Sequence, residues 1–334
     1  MLPASYNAAV ANLAVHFAGG TALNLDPTAG GREAAERLVA CGSRLVLASR
    51  NITVVKNPGE AETVFVEETL AKISRAERWL TAIYLLILPA ALLGRLYGNR
   101  NGGADAPAHI VYSAGTGGRP RPVVLSHHKM VSNSRALAQV FWVTREDRFA
   151  TILPLHHAFG LTATLWFPLL SGCAVAWHRD PSDPSSASRL ARSFEASIFV
   201  ANTAWLKKHA DRLPGHDFVA LKYVFTGGDT VSQEFREAWE AKFSVPLMEG
   251  YGCSEMAPVI AVSVPDFVEG HRRQAGSVAG SVGHPIPGVS VKIVDAATAA
   301  VVPTGEPGLL LAKGPNRMLG YYNDPEGTAA ALRN

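Results

Sequence analysis

Short apolar strands alternate with amphipathic helices along most of this chain, and this alternation restricts its possible folds more than any other feature. Four segments have the length and composition of buried strands: RLVLAS (44–49), FATILPL (149–155), ASIFVAN (196–202) and LKYVFTGG (221–228). Helical patterns fall between them, as in DTVSQEFREAWEAKF over 229–243. Strands separated by helices of this size predict an α/β fold, with a mostly parallel sheet covered by helices on both faces.

The last part of the chain has a different composition. After Gly276, short strands alternate with Pro/Gly turns, which predicts a small β subdomain. A chain of 334 residues with 48% hydrophobic content forms one large domain or two lobes. We therefore expect an α/β core over 1–275 and a β-rich subdomain of the same large domain over 276–334. The low-complexity stretch RDPSDPSSAS (179–188) is expected to be a surface loop.

Composition excludes several classes of partner. The formal net charge of +3 and the lack of a basic stripe argue against nucleic acid. Cys41, Cys173 and Cys253 lie far apart in the sequence, which fits a reducing compartment and argues against a thiolate metal site. The start of the chain lacks the basic region of a signal peptide and predicts an amphipathic helix that ends at Gly19-Gly20. These features favour a cytoplasmic location.

One apolar segment does not fit the α/β pattern. The stretch from Trp79 to Gly94 carries no charge, and Arg75, Arg78, Arg95 and Arg100 flank it. A bilayer span needs about 20 apolar residues, whereas this segment is shorter and Pro89 interrupts it. Three alternatives stay open: a buried or partner-covered helix, a segment in the interface of the inner membrane face with its arginines toward lipid phosphates, and a true span.

A loop of small residues follows the apolar run HIVY. It reads SAGTGGRPR over 113–121. It lacks the Lys-Ser or Lys-Thr of a Walker loop, and Pro120 stands where a dinucleotide fingerprint needs its third Gly. Small residues let backbone N–H groups approach an anion, and arginines add charge. The loop is therefore either a polyphosphate site or an ordinary surface turn.

Six segments in order resemble the adenylate-forming enzymes, the AMP-binding or acyl-CoA synthetase superfamily. The glycine loop resembles that family's Tyr-Thr-Ser-Gly-Thr-Thr-Gly-x-Pro-Lys-Gly, and EGYGCSE (249–255) its Tyr-Gly-x-Thr-Glu. The other matches are LPLHHAFGL, VFTGGD, GSVGHPIPG and GEPGLLLAKGPNRMLGYYNDPEGT. Within the superfamily, LNLDPTAGG, LVLASR and LMEGYGCSEMAPVIAVSVP are most similar to the acyl-ACP synthetase part of 2-acylglycerophosphoethanolamine acyltransferase/acyl-ACP synthetase.

The resemblance implies a site and a reaction. ATP and Mg²⁺ would convert a fatty acid into an acyl-adenylate, and acyl carrier protein or coenzyme A would accept the acyl group. The implied roles are phosphate binding by Ser113, Gly115, Thr116, Gly117, Gly118 and Arg121, adenine binding by Gly227, Gly228, Tyr251 and Gly252, α-phosphate binding by Ser254, Mg²⁺ binding by Glu255, and a place beside the acyl carboxylate for His157. His157 and Tyr251 could instead be core residues and Glu255 a helix-start acid, and the pattern gives His127, His128 and His156 no role.

The chain also departs from the family pattern. Ala114 replaces a Ser, Gly117 a hydroxyl or acidic residue, Arg121 a Lys and Pro122 a Gly. The sequence stops at Asn334, before the family's ribose-binding acid and the C-terminal domain with its catalytic Lys. We expect either the large domain of a ligase, weak or inactive by itself, or a membrane-associated relic that binds nucleotide or acyl groups without turnover.

Overall fold

The computed structural model describes residues 1–28, 31–50, 61–97, 102–115, 118–278 and 280–332. The α-helices are α1 (Tyr6–Phe17), α2 (Gly31–Ala40), α3 (Val66–Lys72), α4 (Arg75–Ile87), α5 (Ala90–Tyr97), α6 (His127–Val140), α7 (Ala158–Leu161), α8 (Phe167–Ser171), α9 (Pro184–Ser193), α10 (Thr203–His209), α11 (Gln233–Phe243) and α12 (Pro325–Ala331). A π-helical turn, Thr162–Trp166, joins α7 to α8, and short 3₁₀ turns cover Ala210–Arg212, Gly215–Asp217 and Ser254–Met256.

The strands form two larger sheets and three two-stranded ribbons. They are β1 (Ala22–Leu23), β2 (Leu45–Ala48), β3 (Glu62–Phe65), β4 (Pro107–Tyr112), β5 (Pro122–Ser126), β6 (Arg148–Thr151), β7 (Ala174–Trp177), β8 (Ile198–Val200), β9 (Tyr223–Gly227), β10 (Leu247–Gly252), β11 (Val259–Val262), β12 (Phe267–Glu269), β13 (Arg272–Gln274), β14 (His284–Pro285), β15 (Ser290–Val294), β16 (Leu309–Lys313) and β17 (Gly320–Tyr321).

The large sheet has the order β14-β11-β10-β9-β8-β6-β7. The five strands from β10 to β7 are parallel, and β11 and β14 extend the sheet antiparallel. Three of the four predicted strands lie here as β6, β8 and β9, whereas the LVLA segment is β2, which pairs with β3. The predicted α/β class, with mostly parallel strands covered by helices, is confirmed.

The central strands of the large sheet are buried on both faces, which explains why helices cover the sheet on each side. Every residue of β8 is buried, as are Phe149, Ala150 and Thr151 of β6. Continuous apolar runs of this kind are typical of parallel strands with helices on each side. Helix α11 begins where the Ser232 hydroxyl accepts a hydrogen bond from the Phe235 N–H, and it buries Trp239 against the core. The central core therefore lies between the large sheet and its helices.

The second sheet has four strands in the order β1-β4-β5-β17. Strand β1 is parallel to β4, while β4–β5 and β5–β17 are antiparallel pairs. Val111, Val123 and Leu125 are almost wholly buried and pack with Met130 and Trp166 in a separate core cluster. This sheet holds both ends of the glycine loop, because β4 ends just before it and β5 begins just after it.

The segment after residue 276 contributes to several sheets. Strand β14 extends the large sheet, β15 and β16 form an antiparallel ribbon, and β17 completes the four-stranded sheet. The expected β-rich subdomain over 276–334, with its boundary between 275 and 276, stays a prediction.

The apolar segment forms α4 and α5, with a break at Leu88–Pro89. Helix α4 buries none of its residues, and Trp79 and Leu86 are 73% and 86% exposed. Burial in the core of this chain is therefore the wrong alternative. Among the residues that the structure describes, no helix has the length and apolarity required to cross a membrane.

The expected surface loop over 179–188 is wrong in its second half. Helix α9 begins at Pro184, and the Asp183 carboxylate accepts a hydrogen bond of 3.0 Å from the Ser186 N–H. An Asp-Pro pair suits the start of a helix for two reasons. The Asp carboxylate accepts a hydrogen bond from a backbone N–H of the first turn, and Pro has no N–H that would need an acceptor. The serine-rich composition hid this helix start.

Candidate active site

A cleft of about 1290 Å³ lies between the two larger sheets. One wall consists of the chain that leaves the carboxyl ends of β6, β7, β8, β9 and β10, which is where open α/β sheets bind ligands. The other wall comes from the small sheet, through Tyr112, Ser113, Arg121 and Tyr321. The cleft is lined by every predicted site residue that the structure describes: Ser113, Gly115, Gly118, Arg121, His157, Gly227, Gly228, Tyr251, Gly252, Ser254 and Glu255. The predicted Thr116 and Gly117 lie outside the described residues.

The two ends of the glycine loop are hydrogen-bonded to each other. The Ser113 N–H donates to the Arg121 carbonyl at 2.9 Å, and the Arg121 N–H donates to the Ser113 hydroxyl at 3.0 Å. Gly115 has a φ of +73°, and a Cβ added there would lie 2.9 Å from the Gly118 carbonyl oxygen. Only glycine adopts this conformation without strain. The two ends of the loop are therefore held together, and Ser113, Ala114, Gly115 and Gly118 line the cleft.

The segment from Tyr251 to Glu255 includes the last two residues of β10 and the sharp turn that follows the strand. A Cβ at Gly252 would lie 1.9 Å from the Pro258 carbonyl oxygen, and the neighbouring Cys253 N–H donates to that same oxygen at 3.0 Å. Glu255 follows in a 3₁₀ turn, and its carbonyl accepts a hydrogen bond of 2.7 Å from the Met318 N–H. Glycine at 252 is therefore required for the close approach that sets the position of Glu255.

Two buried amides hold the chain just after Glu255. Asn133 of α6 donates to the Val259 carbonyl at 2.9 Å, and Asn316 donates to the same carbonyl at 3.0 Å. Both amides also reach the carbonyl of Met256. Buried carbonyl groups paired in this way are costly to release, so Asn133 and Asn316 act as positioning residues for the turn.

Glu255 connects to the glycine loop through Tyr321. The Tyr321 hydroxyl donates to Glu255 Oε1 at 2.9 Å, and the Arg121 guanidinium lies 5.1 Å from the centre of the Tyr321 ring. Burial, together with this bond to a carboxylate, raises the pKa of Tyr321 to about 12. The phenol therefore stays protonated and acts as the hydrogen-bond donor to Glu255. The Arg121 side chain, expected at the phosphates, lies over this ring, and Arg121 also lines the cleft.

Glu255 suits a metal that arrives with a nucleotide. Within the described ranges, no group of three or more His, Cys, Asp or Glu side chains could hold a metal by itself. Mg²⁺ is commonly bound by one or two carboxylates, with phosphate oxygens and waters completing its shell. A single carboxylate that lines the cleft fits that requirement.

His157 lies at the start of α7, beside a second histidine and an acid. The His156 and His157 rings are 4.3 Å apart, and His156 Nε2 is 3.8 Å from Asp26 Oδ2. Burial lowers the pKa of His157, and burial together with the charge of His157 lowers the pKa of His156 to about 4. Both rings are therefore neutral near pH 7. All three side chains line the cleft, so the interpretation of His157 as a core histidine is wrong.

Gly227 and Tyr251 come from neighbouring strands. Gly227 ends β9 opposite Gly250 of β10, and Tyr251 is the next residue along β10. Tyr251 is 40% exposed and lines the cleft, so it is not a core residue. The stacking of its ring on adenine stays a prediction.

Several residues of the site were not predicted. They are Asp26, Asn133, His156, Asn316 and Tyr321. Asn316 and Tyr321 both lie in the matched segment GPNRMLGYY, which was the one available signal for them. Asn133 lies in a helix whose sequence pattern does not distinguish a buried amide from an exposed one.

Comparison with known proteins points to one family. A family described as "AMP-binding enzyme" matches residues 1–322. A long-chain-fatty-acid–CoA ligase of Escherichia coli O6:H1 is 31% identical over 235 residues, which is 68% of this chain and 40% of that protein. The corresponding ligase of Bacillus subtilis (strain 168) is 29% identical over 231 residues, with the same two coverages. This chain therefore spans about 40% of the length of the curated relatives that it matches.

Solved structures show the same fold. ATP-bound MatB from Rhodopseudomonas palustris aligns with a TM-score of 0.80 at 23% identity, covering 99% of this chain and 62% of that one. O-succinylbenzoate coenzyme A synthetase from Bacillus subtilis, in complex with AMP, aligns with a TM-score of 0.80 at 20% identity and the same coverages. At these identities the likeness establishes the fold.

Proposed function

We propose, because the chain belongs to the AMP-binding enzyme family, that its cleft binds ATP with Mg²⁺ and activates the carboxylate of a fatty acid as an acyl-adenylate. One observation carries the proposal. The glycine loop, Gly227–Gly228 and the Tyr251–Glu255 turn lie far apart in the sequence and meet around one cleft. Adenylate-forming ligases use ATP and Mg²⁺, and the names of the matched relatives indicate a fatty acid as the substrate class.

The reaction would proceed by displacement at phosphorus. A carboxylate oxygen of the fatty acid forms a bond to the α-phosphorus of ATP, and the bond from that phosphorus to the bridging oxygen breaks as pyrophosphate leaves. In this proposal Ser113, Gly115 and Gly118 hold the β- and γ-phosphates, as would Thr116 and Gly117, and Arg121 adds a positive charge. Positioning and charge neutralisation supply most of the catalysis in such transfers.

The remaining roles follow from position in the cleft. Gly227, Gly228, Tyr251 and Gly252 would line the adenine site, and the Ser254 hydroxyl would donate to the α-phosphate. Mg²⁺, when bound, neutralises charge on phosphate oxygens, and Glu255 would be its protein ligand. Neutral His157 would lie beside the acyl carboxylate without adding charge.

The acceptor is either coenzyme A or acyl carrier protein. The relatives named as CoA ligases favour coenzyme A. The resemblance of LMEGYGCSEMAPVIAVSVP to acyl-ACP synthetases favours the carrier protein. In each case a thiol sulfur attacks the acyl carbon and AMP leaves. The cytoplasmic location and the peripheral place at the inner membrane face stay predictions, as does the exclusion of nucleic acid.

A second candidate is nucleotide binding without turnover. It is favoured by the altered loop, where Ala114 and Pro122 replace a hydroxyl and a glycine, and by Arg121, which contacts Tyr321 at 5.1 Å to the ring centre. Such a protein would bind ATP or AMP and release it unchanged.

Two measurements on the same preparation test these proposals. Calorimetric titration with ATP, with and without Mg²⁺, tests the site, and the absence of heat at millimolar ATP would contradict both candidates. Exchange of radioactive pyrophosphate into ATP, in the presence of fatty acids of increasing chain length, tests the first step. Exchange that depends on a fatty acid identifies the ligase. Because the large domain of a ligase is expected to be weak or inactive by itself, exchange is also measured with this chain joined to the family's C-terminal domain. ATP binding without exchange in both proteins identifies the second candidate.

A further inference from the structure

Helices α4 and α5 form an apolar surface outside the cleft. On α4 the side chains of Trp79, Ile83, Leu86 and Ile87 are 73%, 45%, 86% and 72% exposed. Their spacing of i, i+4, i+7 and i+8 places them on one face of the helix. Soluble proteins rarely leave so many large apolar side chains together in water, so a surface of this kind usually has a binding partner.

Exposed apolar side chains also occur on the elements that precede and follow α4 in the chain. On α5, Leu92 and Leu96 are 40% and 58% exposed, and at the end of α3, Leu70 and Ile73 are 42% and 39% exposed. Helix α4 itself is well formed, because Ser74 and Glu77 make a reciprocal capping box at its start. The exposed apolar face is therefore carried by an ordered helix.

Positive charge accompanies the apolar face. Between residues 72 and 97 the sequence has the basic side chains Lys72, Arg75, Arg78 and Arg95 and the single acidic side chain Glu77. All four basic residues are exposed. They stand at the two ends of the apolar stretch, and no charged residue interrupts it between Trp79 and Gly94. Apolar side chains bordered by cations are complementary to a surface whose interior is hydrocarbon and whose boundary carries phosphates.

We propose that the α4–α5 surface docks on an anionic phospholipid membrane, with α4 lying in the plane of the interface. A helix of 13 residues is about 20 Å long, which is shorter than the roughly 30 Å hydrocarbon core. Trp79 and Tyr84 suit the headgroup level, where aromatic side chains concentrate. A protein partner would not require this pairing of an uncharged apolar face with basic residues at both ends.

Vesicle binding tests the proposal. We expect the chain to co-sediment with vesicles of phosphatidylcholine and phosphatidylglycerol, to bind phosphatidylcholine alone far more weakly, and to release as salt rises from about 0.1 to about 0.5 M. Lys72→Gln with Arg75→Gln should weaken binding about fivefold for each side chain removed. The matched control, Arg135→Gln with Lys208→Gln, removes two exposed charges elsewhere and should bind like the unchanged chain.

Contact of α4 with the acyl chains has a separate readout. Brominated phosphatidylcholine mixed into the anionic vesicles should quench the fluorescence of the chain, and Trp79→Phe should remove most of that quenching while keeping the binding. Trp142→Phe is the matched control, because Trp142 is 83% exposed but lies outside the surface. Leu86→Gln with Ile87→Gln should abolish vesicle binding, and Leu169→Gln with Leu170→Gln, exposed on α8, should not.

Three outcomes would overturn the proposal. They are the absence of vesicle binding, binding that salt and the Lys72/Arg75 variant leave unchanged, and self-association that Leu86→Gln with Ile87→Gln removes while vesicles stay unbound. The third outcome would assign the surface to a second copy of the chain. None of the described side chains of α4 and α5 lines the cleft, so none of these results decides whether the cleft binds ATP.

Discussion

Glu255 is the residue whose charge the proposed site depends on most. Glu255→Gln keeps the shape of the side chain, and the Tyr321 hydroxyl can still donate to the amide oxygen, so the fold should persist. A charge-assisted contact is worth about 1.5–3 kcal/mol, and we therefore expect the gain in ATP affinity on adding Mg²⁺ to be at least ten times smaller in the variant than in the unchanged chain. Calorimetric titration with and without Mg²⁺ measures this difference. Glu306→Gln, at an exposed position, serves as the control, and equal Mg²⁺ dependence in all three proteins would rule out the metal role.

Gly252 should be intolerant of any side chain. In Gly252→Ala the new methyl group would meet the Pro258 carbonyl oxygen at 1.9 Å, so the turn has to move. We expect a loss of about 1–3 kcal/mol in the free energy of unfolding, measured with urea, and weaker ATP binding. Gly94→Ala is the contrasting control, because nothing lies within 4 Å of a Cβ there and alanine favours the α5 helix. Equal stability of the Gly252 variant and the unchanged chain would contradict the close approach.

Single residues were predictable where a contiguous motif contains them. Ser113, Gly227 and Glu255 lie in short segments of characteristic composition, and the structure brings them to one cleft. Asn133 and Tyr321 reach the same turn from distant parts of the chain. The Asn133 contact depends on how α6 lies against the chain between Met256 and Val259, which no local pattern encodes. Tyr321 lies in the matched segment GPNRMLGYY, but that segment does not show that its hydroxyl bonds to Glu255.

A histidine cluster joins α1, β4, α6 and the π-helical turn. The Trp166 indole N–H donates to His109 Nε2 at 2.9 Å, and His16 Nε2 lies 3.1 Å from the same atom. The His127 ring is 5.0 Å from that of His16. Burial lowers the pKa of His16 to about 4 and holds the pKa of His109 well below its usual value, and each charge would also repel its neighbours. The folded cluster is therefore uncharged near neutral pH.

The cluster should make the fold sensitive to mild acid. In the unfolded chain these histidines bind protons near pH 6.5, whereas in the folded chain His16 does so only near pH 4. The unfolded state thus binds more protons between these values, and the free energy of unfolding should fall as the pH falls from about 6.5 to about 4. Each histidine contributes up to about 1.4 kcal/mol per pH unit. Urea unfolding at several pH values measures the slope.

A matched pair of variants tests whether His16 causes this pH dependence of the free energy of unfolding. His16→Gln should flatten the pH dependence between about 6.5 and 4, because it removes one group that protonates only on unfolding. His271→Gln, at an exposed position, should leave the slope unchanged. A slope equal in the unchanged chain and in His16→Gln would show that other groups cause the acid sensitivity.

Elements were predictable where burial follows the hydrophobic pattern. The runs in β6, β8 and β9 are buried on both faces, so composition and position agree. For α4, composition alone does not distinguish burial from exposure, because apolar side chains enter a core and a lipid interface for the same reason. For α9 the capping residues Asp183 and Pro184 were informative, but the serines around them masked the helix.

Over the whole molecule, the cleft links ligand binding to stability. It lies between the two larger sheets, so a ligand that fills it contacts both and binds only the folded state. ATP with Mg²⁺ at 100 times its dissociation constant should stabilise the fold by about 2.7 kcal/mol and raise the melting temperature by about 4 °C. Differential scanning fluorimetry measures the shift. Gly252→Ala should lose most of it at the same ATP concentration, and an equal shift in both proteins would place the ligand elsewhere.

The α/β class could be predicted from the sequence, since alternating strands and helices leave few other arrangements. The division of the strands between two sheets could not. Strand β17 is only two residues long, and its pairing with β5 depends on the closure of a very long loop. Short strands held by distant partners give almost no periodic signal.

That pairing also determines when the cleft can form. Gly320 lies opposite Val124, so the sheet that carries the glycine loop gains its last strand only after nearly all of the matched chain has been synthesised. The parallel strands from β6 to β10 are complete by Gly252 and form contacts over shorter separations, which favours their earlier folding. During refolding, the tryptophan fluorescence that reports burial of Trp239 should therefore recover before the chain can capture ATP. Nucleotide binding would then report the final stage of folding, and a ribosome-bound chain that ends before Tyr321 would hold a formed large sheet without a finished cleft.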